Sequence, residues 1–314
     1  MIPQTFRSSG DLAADRRYDY AVDLLRAGDA IAAADLLTQA LELAPRWPVA
    51  WFTLATAHEQ ARNVPGAIAA FARAAELDPE DILGAALHLV RLGAINTPDA
   101  PPRAYVRGLF DAYADRFDHA LVKGLEYRAP QLIAAGLATI APDRHFPNAL
   151  DLGCGTGLMA DTLKGRVDAW TGVDLSSRMI EAARAKGLYA GFEVDDIVAA
   201  MQTRRPATFD LITAADVFCY LGDLAPAISQ AARLLAPGGI LAFTVERLAS
   251  SRSYAHFDLG DALRFRHHAD YVRTLLDAAR LRIDRFDTEN LRQDRGLPVG
   301  GLVVFAVKPG VGAS

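Results

Sequence analysis

Residues 148–161, N-A-L-D-L-G-C-G-T-G-L-M-A-D, admit few folds. A short apolar run ends in Asp151, three glycines follow at alternate positions (Gly153, Gly155 and Gly157), and a helix-forming stretch comes next. Such a segment reads as a buried strand, a turn whose glycines take positive φ and let backbone approach a ligand, and the start of a helix. The spacing is G-x-G-x-G with an aspartate two residues ahead, which differs from the G-x-G-x-x-G of dinucleotide sites. No Lys-Ser or Lys-Thr closes the loop, so a nucleotide triphosphate site is not expected.

From this loop onward, apolar runs alternate with amphipathic stretches, the pattern of a parallel sheet with helices on both faces. Strands are expected at 149–152, 170–174, 189–194, 209–220, after the Pro-Gly-Gly turn that precedes Ile240, at 281–287 and at 301–308. Helices are expected at 158–164 and after Ser176, which is placed as an N-cap, with Gly187 beyond the helix end. Ligands of such sheets sit outside the carboxyl ends of the strands, so Asp151, Asp174, Asp196 and Asp216 should face one crevice.

The series Asp-x-Gly-x-Gly-x-Gly, T-G-V-D-L-S at 171–176 and F-E-V-D-D-I at 192–197 resembles the class I S-adenosylmethionine-dependent methyltransferases. The resemblance implies an α/β fold, a seven-stranded Rossmann-like sheet with an antiparallel finish, and S-adenosyl-L-methionine as cofactor. It further implies that Asp151 fixes the amino group of the cofactor and that the amides of Gly153, Cys154, Gly155 and Gly157 meet its carboxylate region. Asp174, with Leu175 beside it, would bind the ribose, and Asp196, with the backbone of Ile197, the adenine.

The first hundred residues repeat themselves. Ala33, Leu37, Ala40 and Pro45 align with Ala67, Phe71, Ala74 and Pro79 at a constant offset of 34, and L-E-L-A-P recurs as A-E-L-D-P. That is the tetratricopeptide period, predicting two helical hairpins and a capping helix over 82–93. Such a short stack either packs on a neighbouring domain or offers a concave face, around Trp51 and His58, to a protein or peptide partner. After the proline break, Tyr105, Leu109, Phe110, Tyr113, Phe117 and Leu121 form an apolar stripe at helical spacing. Within it, F-D-A-Y-A-D-R-F-D resembles the N-terminal lid helices of small-molecule and quinone-type methyltransferases, which makes Tyr113 and Arg128, with Tyr127, candidates to approach the methionine carboxylate. Together the features resemble a bacterial family of tetratricopeptide-repeat methyltransferases. The expected division is a repeat domain at 1–97, linker and lid helices at 98–146, and the methyltransferase domain at 147–314.

The acceptor is less legible. An oxygen or nitrogen acceptor that loses a proton needs a base, and Asp216, Tyr220 and Glu246 lie beyond the fourth and fifth strands, with His267 and His268 in a later insertion. His268 is preferred because H-A-D-Y opens a helix. The insertion at 248–265 is expected to carry acceptor specificity. After the fourth strand stands A-D-V-F rather than N-P-P-Y or N-P-P-F, which argues against methylation of planar amide or adenine amino groups. The net charge of −5 and the absence of a basic block argue against a nucleic-acid surface. No apolar run reaches the ~20 residues of a membrane span, the N-terminal stretch has no apolar signal core, and two cysteines cannot build a disulfide framework. A cytoplasmic methyltransferase acting on a small molecule or on a protein docked by the repeats is expected, with no metal. Cys154 is expected to be a packing residue. The alternative is a repeat-based interaction scaffold whose methyltransferase fold binds the cofactor with little or no turnover.

Overall fold

Alanine-rich helices with large residues at every fourth position can bury a face only by stacking, and the N-terminal unit does this. The computed structural model describes residues 8–114, 117, 126–249, 256–294 and 296–310. Leu121 of the expected stripe and residues 250–255 of the insertion therefore lie outside the described residues. The chain divides into two compact units, Met1–Gly108 and Leu109–Ser314.

In the first unit, α1 (Leu12–Arg26) pairs with α2 (Ala30–Leu43) and α3 (Pro48–Gln60) with α4 (Val64–Leu77), followed by α5 (Ala85–Arg91). Asp11, Asp29 and Asn63 accept backbone hydrogen bonds as N-caps, and Pro48 opens α3. The repeat offset is visible in the packing: Ala33 and Leu37 in α2 and Ala67, Phe71 and Ala74 in α4 are buried in one core, and Ala40 is buried as well. His88 of α5 stacks on Phe71 with ring centroids 4.5 Å apart and closes the stack. The α5 start is pinned by Asp81, whose carboxylate accepts from the amides of Ala85 and Ala86 at 2.6 and 3.0 Å.

A further helix, α6 (Arg103–Tyr113), crosses the division, and α7 (Ala129–Ile140) leads into the sheet. The second unit is built on β1 (Phe146–Leu152), β2 (Val167–Asp174), β3 (Gly191–Val194), β4 (Phe209–Ala214), β5 (Leu235–Arg247), β8 (Arg282–Asp294) and β9 (Leu297–Val307). Strands β3, β2, β1, β4 and β5 run parallel in that order, β9 pairs antiparallel with β5, and β8 with β9. All seven expected strands are present. Two more, β6 (Phe257–Leu259) and β7 (Phe265–His267), form a hairpin in the insertion, and β7 pairs in parallel with Glu246 and Arg247 of β5, beyond the point where β4 has ended. The fourth strand is shorter than expected: it stops at Ala214 and a 3-10 turn follows at Phe218–Tyr220. Asp216 sits at φ 59°, a left-handed conformation that no strand accommodates.

Period-two alternation sorts the sheet residues onto two cores. Leu150, Leu152, Ile212, Leu241, Phe243, Val304 and Ala306 face α10 (Ile197–Gln202), α11 (Ala225–Leu234) and α12 (Ala269–Ala278). Ala149, Trp170, Leu211, Ile240, Ala242, Val303 and Phe305 face α7 and α8 (Leu158–Thr162). Between α7 and β9 the approach is close enough to require glycine: a Cβ on Gly136 would lie 2.0 Å from the Phe305 ring. Because Phe305 is fully buried, Gly136→Ala is expected to cost about 1–3 kcal/mol of stability. A lower denaturant midpoint at unchanged slope would register it. No described helix is long and apolar enough to cross a membrane.

Candidate functional site

The sheet reverses its winding between β1 and β4, and the crevice outside the strand ends at such a switch point is where open parallel sheets hold ligands. Here β1 delivers Asp151 and β2 delivers Asp174. The glycine loop leaves β1 with Gly153, Gly155 and Gly157 at φ 61°, 51° and 86°. The Cys154 amide bonds the Val173 carbonyl at 3.0 Å, which fastens the loop to β2.

The three glycines have different physical reasons. A Cβ on Gly153 would come within 2.5 Å of Val217, and one on Gly157 within 3.0 Å of Tyr189, so both positions are closed by packing. Among the described residues, a Cβ on Gly155 would meet only the Phe117 ring, at 3.5 Å. The Gly155 amide donates to Asp174 Oδ2 at 2.8 Å, and the Ser176 amide to Oδ1 at 2.9 Å. Ser176 caps α9 (Ser177–Ala185), as the sequence predicts, and its hydroxyl also donates to Asp111 Oδ1 at 2.5 Å. Arg178 Nη1 donates to the Asp111 carbonyl at 2.9 Å. These bonds hold the C-terminal turn of α6 beside Asp174, with Leu175 half-buried between Asp174 and Ser176.

Asp151 is 1% exposed. Its Oδ2 accepts from the Tyr189 hydroxyl at 2.6 Å and its Oδ1 from Thr213 Oγ1 at 2.8 Å. Burial pushes both Asp151 and Asp174 up to about 6, opposed by these hydrogen bonds. Because their folded values lie above the ordinary aspartate value near 3.9, the folded chain holds these protons more tightly than the unfolded one. Their contribution to stability is full below about pH 4 and is lost as pH rises through about 6. A ligand that needs both carboxylates ionised gains affinity over the same interval. We expect S-adenosylhomocysteine binding to strengthen from pH 5 to 7 by up to about tenfold per pH unit for each group, then to level off, as read by calorimetry.

Cys154 is buried with its thiol pushed up by desolvation, and its Sγ occupies the space a Cβ on Gly172 would need, 2.8 Å away. Asp196 is the N-cap of α10, with Oδ1 accepting from the Val198 and Ala199 amides at 3.0 Å, and Ile197 behind it is buried. Tyr113 is half-exposed at 43%, and Arg128 is exposed with its amide bonded to the Leu291 carbonyl at 2.9 Å. The ring that reaches the glycine loop is Phe117, which continues edge-on through Phe110 to Tyr220, with centroid separations of 6.2 and 5.2 Å. Tyr127 donates its hydroxyl to the Ala215 carbonyl at 3.1 Å.

At the ends of β4 and β5 lies a group that sequence reading anticipated only in half. Arg292, on β8 and almost wholly buried, donates from Nη1 to Asp216 Oδ1 at 2.6 Å and from Nη2 to Glu246 Oε1. Arg264, just ahead of β7, places Nη1 3.8 Å from Asp216 Oδ2 and 3.7 Å from Glu246 Oε1, with its guanidinium 5.5 Å from the Tyr220 ring centre. Burial pushes the Tyr220 hydroxyl up, so the phenol stays protonated. Asp216, Cys219 and Glu246 offer ligand atoms within 4.8 Å of one another, but a metal ion there would have to displace Arg292 from both carboxylates. Of the two histidines considered, His267 is fully buried, its Nε2 donating to the Gly222 carbonyl at 2.9 Å, and burial pushes it down to about 4. His268 is the N-cap of α12, where Nδ1 accepts from the Asp270 amide at 3.3 Å. Tyr189, Thr213, Arg264 and Arg292 gave no local signal as site residues, because each acts on a partner far along the chain or in the neighbouring hairpin, whereas Asp111 and Phe117 stood in the lid-helix stretch without being singled out for these contacts.

The methyltransferase domain family matches residues 150–243, and the tetratricopeptide repeat family residues 24–89. A ubiquinone biosynthesis O-methyltransferase from Nitrosomonas europaea is 28% identical over 168 residues, 51% of this chain and 67% of that enzyme. The enzyme of the same name from Idiomarina loihiensis is 33% identical over 98 residues, 30% of this chain and 40% of its own length. The chain thus spans between about two fifths and two thirds of these curated relatives. Among solved structures, the [4+2]-cyclase SpnF aligns with a TM-score of 0.54 at 20% identity over 68% of this chain and 98% of that one. The 1,6-didemethyltoxoflavin-N1-methyltransferase of Burkholderia thailandensis aligns with 0.50 at 20% identity over 68% and 93%. At that identity the likeness speaks for the fold, and a cyclase beside a methyltransferase illustrates that the fold does not by itself set the reaction. The chain joins a tetratricopeptide-repeat domain to a class I S-adenosylmethionine-dependent methyltransferase domain.

Proposed function

We propose that the protein moves a methyl group from S-adenosyl-L-methionine to an oxygen or nitrogen acceptor on a small molecule or on a protein held by the repeats. The observation that carries this reading is the pairing of two buried carboxylates, Asp151 and Asp174, on either side of a positive-φ glycine loop at the switch point of the sheet. The residues fit the cofactor. Asp174, its carboxylate held by two amides, would accept from a vicinal diol, and Gly155 leaves the space beneath Phe117 without a side chain. Asp151, held by Tyr189 and Thr213, would meet the amino end, and Asp196 with Ile197 the adenine end. When bound, the cofactor supplies a methyl group already made electrophilic by its sulfonium. The chain then has to orient the acceptor in line and exclude water, and orientation of this kind can supply roughly 7–11 kcal/mol of the barrier. Phe117, Phe110 and Tyr220 provide an apolar wall from the loop toward the strand ends.

The test is transfer of labelled methyl from S-adenosylmethionine to components of a cell extract by the full chain. Incorporation into a small molecule or a protein, lost when the extract is omitted, is the expected outcome. Tight S-adenosylhomocysteine binding with no incorporation across extracts would overturn the catalytic reading.

A further inference from the structure

Most of the buried charge at the strand ends is accounted for, and one donor is not. Asp216 and Glu246 contribute two negative charges, Arg292 and Arg264 two positive ones, and Arg292 makes both of the close hydrogen bonds. Arg264 balances the charge from 3.7 and 3.8 Å, beyond hydrogen-bond reach, and its Nη1 is buried with no hydrogen-bond partner among the described residues. Leaving a buried charged donor unmade is costly, and native chains do so where a ligand completes the set. This nitrogen lies at the far end of a continuous line that begins at the cofactor loop: Gly155 under Phe117, Phe117 to Phe110, Phe110 to Tyr220, and the Arg264 guanidinium over the Tyr220 ring.

We propose that Arg264 and Asp216 together read the acceptor group, and that this group is a hydroxyl borne next to a planar surface. The inference rests on the methyltransferase reading and narrows it. A hydroxyl oxygen has two lone pairs and one proton. It can accept from Arg264 Nη1 with one lone pair, donate its proton to Asp216 Oδ2, and keep the second lone pair for the methyl group. A neutral amine has a single lone pair. If that pair accepts from Arg264 it is withdrawn from attack, so the same two residues disfavour nitrogen. Binding a neutral hydroxyl also keeps the four-charge cluster balanced, whereas an added carboxylate would leave it one negative charge in excess. In the transfer itself the O–H pair becomes an oxygen lone pair, the proton passes to the Asp216 carboxylate, and the new O–CH3 bond forms as the S–CH3 bond breaks with its electrons left on sulfur. Asp216 then releases its proton to solvent. The β6–β7 hairpin, by pairing with β5 past the end of β4, is what brings Arg264 to this point.

The experiment titrates the full chain, saturated with S-adenosylhomocysteine, with phenol, aniline and benzyl alcohol as probes. We expect phenol to bind about tenfold tighter than aniline, the size of one hydrogen bond to a charged group. Arg264→Met is expected to erase that difference while leaving S-adenosylhomocysteine affinity unchanged, and Arg264→Lys to restore part of it. Benzyl alcohol separates the sources of the hydroxyl: binding on a par with phenol means an aliphatic hydroxyl serves, and weaker binding means the ring must bear it. Phenol and aniline binding alike, a preference that survives Arg264→Met, or no phenol binding in the millimolar range would each overturn the inference. Failure of the wild-type chain to bind S-adenosylhomocysteine would instead overturn the methyltransferase reading beneath it.

Discussion

Asp174→Ala is expected to weaken S-adenosylmethionine and S-adenosylhomocysteine binding by about 100-fold or more. The carboxylate is 8% exposed and is held by the amides of Gly155 and Ser176. Its ionised form offers charge-assisted bonds to two ribose hydroxyls, each worth roughly 1.5–3 kcal/mol. Losing both gives about two powers of ten at 1.4 kcal/mol per tenfold. The variant also frees the Gly155 amide from the carboxylate that fixes it across the loop, so the loop would lose its preset shape as well as the expected bond to the ligand. Asp174→Asn separates the two losses: it keeps an oxygen for one amide but not the charge, and should fall between alanine and wild type. Calorimetric titration with S-adenosylhomocysteine reads the effect without needing an acceptor. Unchanged affinity in Asp174→Ala would remove the ribose assignment.

The largest expected loss of stability is that of Arg292→Met. The arginine bonds Asp216 and Glu246 together, and Glu246 is 7% exposed. Replacing a buried pair wholesale with apolar groups can be neutral, but removing one partner leaves an uncompensated charge, at a cost of about 3–5 kcal/mol. Here two carboxylates would be left with Arg264 alone, at 3.7 and 3.8 Å. The expected readout is a shift of that size in chemical unfolding. Combining Arg292→Met with Asp216→Asn should return part of the loss, because the double variant again balances the remaining charges. A cost below about 1 kcal/mol for Arg292→Met would mean that water reaches the cluster and screens it, as at an exposed ion pair.

The difference between these two residues shows what could be read along the chain. Asp174 was visible because its role depends on neighbours in sequence: it ends a short apolar run, precedes the N-cap Ser176, and follows the glycine loop by one helix and one strand. The repeats were visible for a similar reason, since a 34-residue offset places Leu37 and Phe71 at equivalent points of adjoining hairpins. The strand at 209–220 was overextended because alanine, valine and phenylalanine around Asp216 look like strand, while the positive φ of Asp216 leaves no mark in composition. Arg292 was invisible. It lies 76 residues from Asp216 and 46 from Glu246, within a strand whose other charges point to solvent or to close neighbours.

Short-range regularities of the sequence therefore determined the repeat stack, the alternating α/β order, the glycine loop and the acids at the strand ends, because backbone propensity, side-chain period and turn chemistry act over a few residues. Tertiary structure alone decided which side chains complete the site. Thr213 and Tyr189 orient Asp151 across 62 and 38 residues, Phe117 covers Gly155, and the β6–β7 hairpin brings Arg264 to the carboxylates that Arg292 already holds. The physical reason is that pairing of buried polar groups is governed by distance and desolvation in the folded chain, and sequence separation carries no information about either.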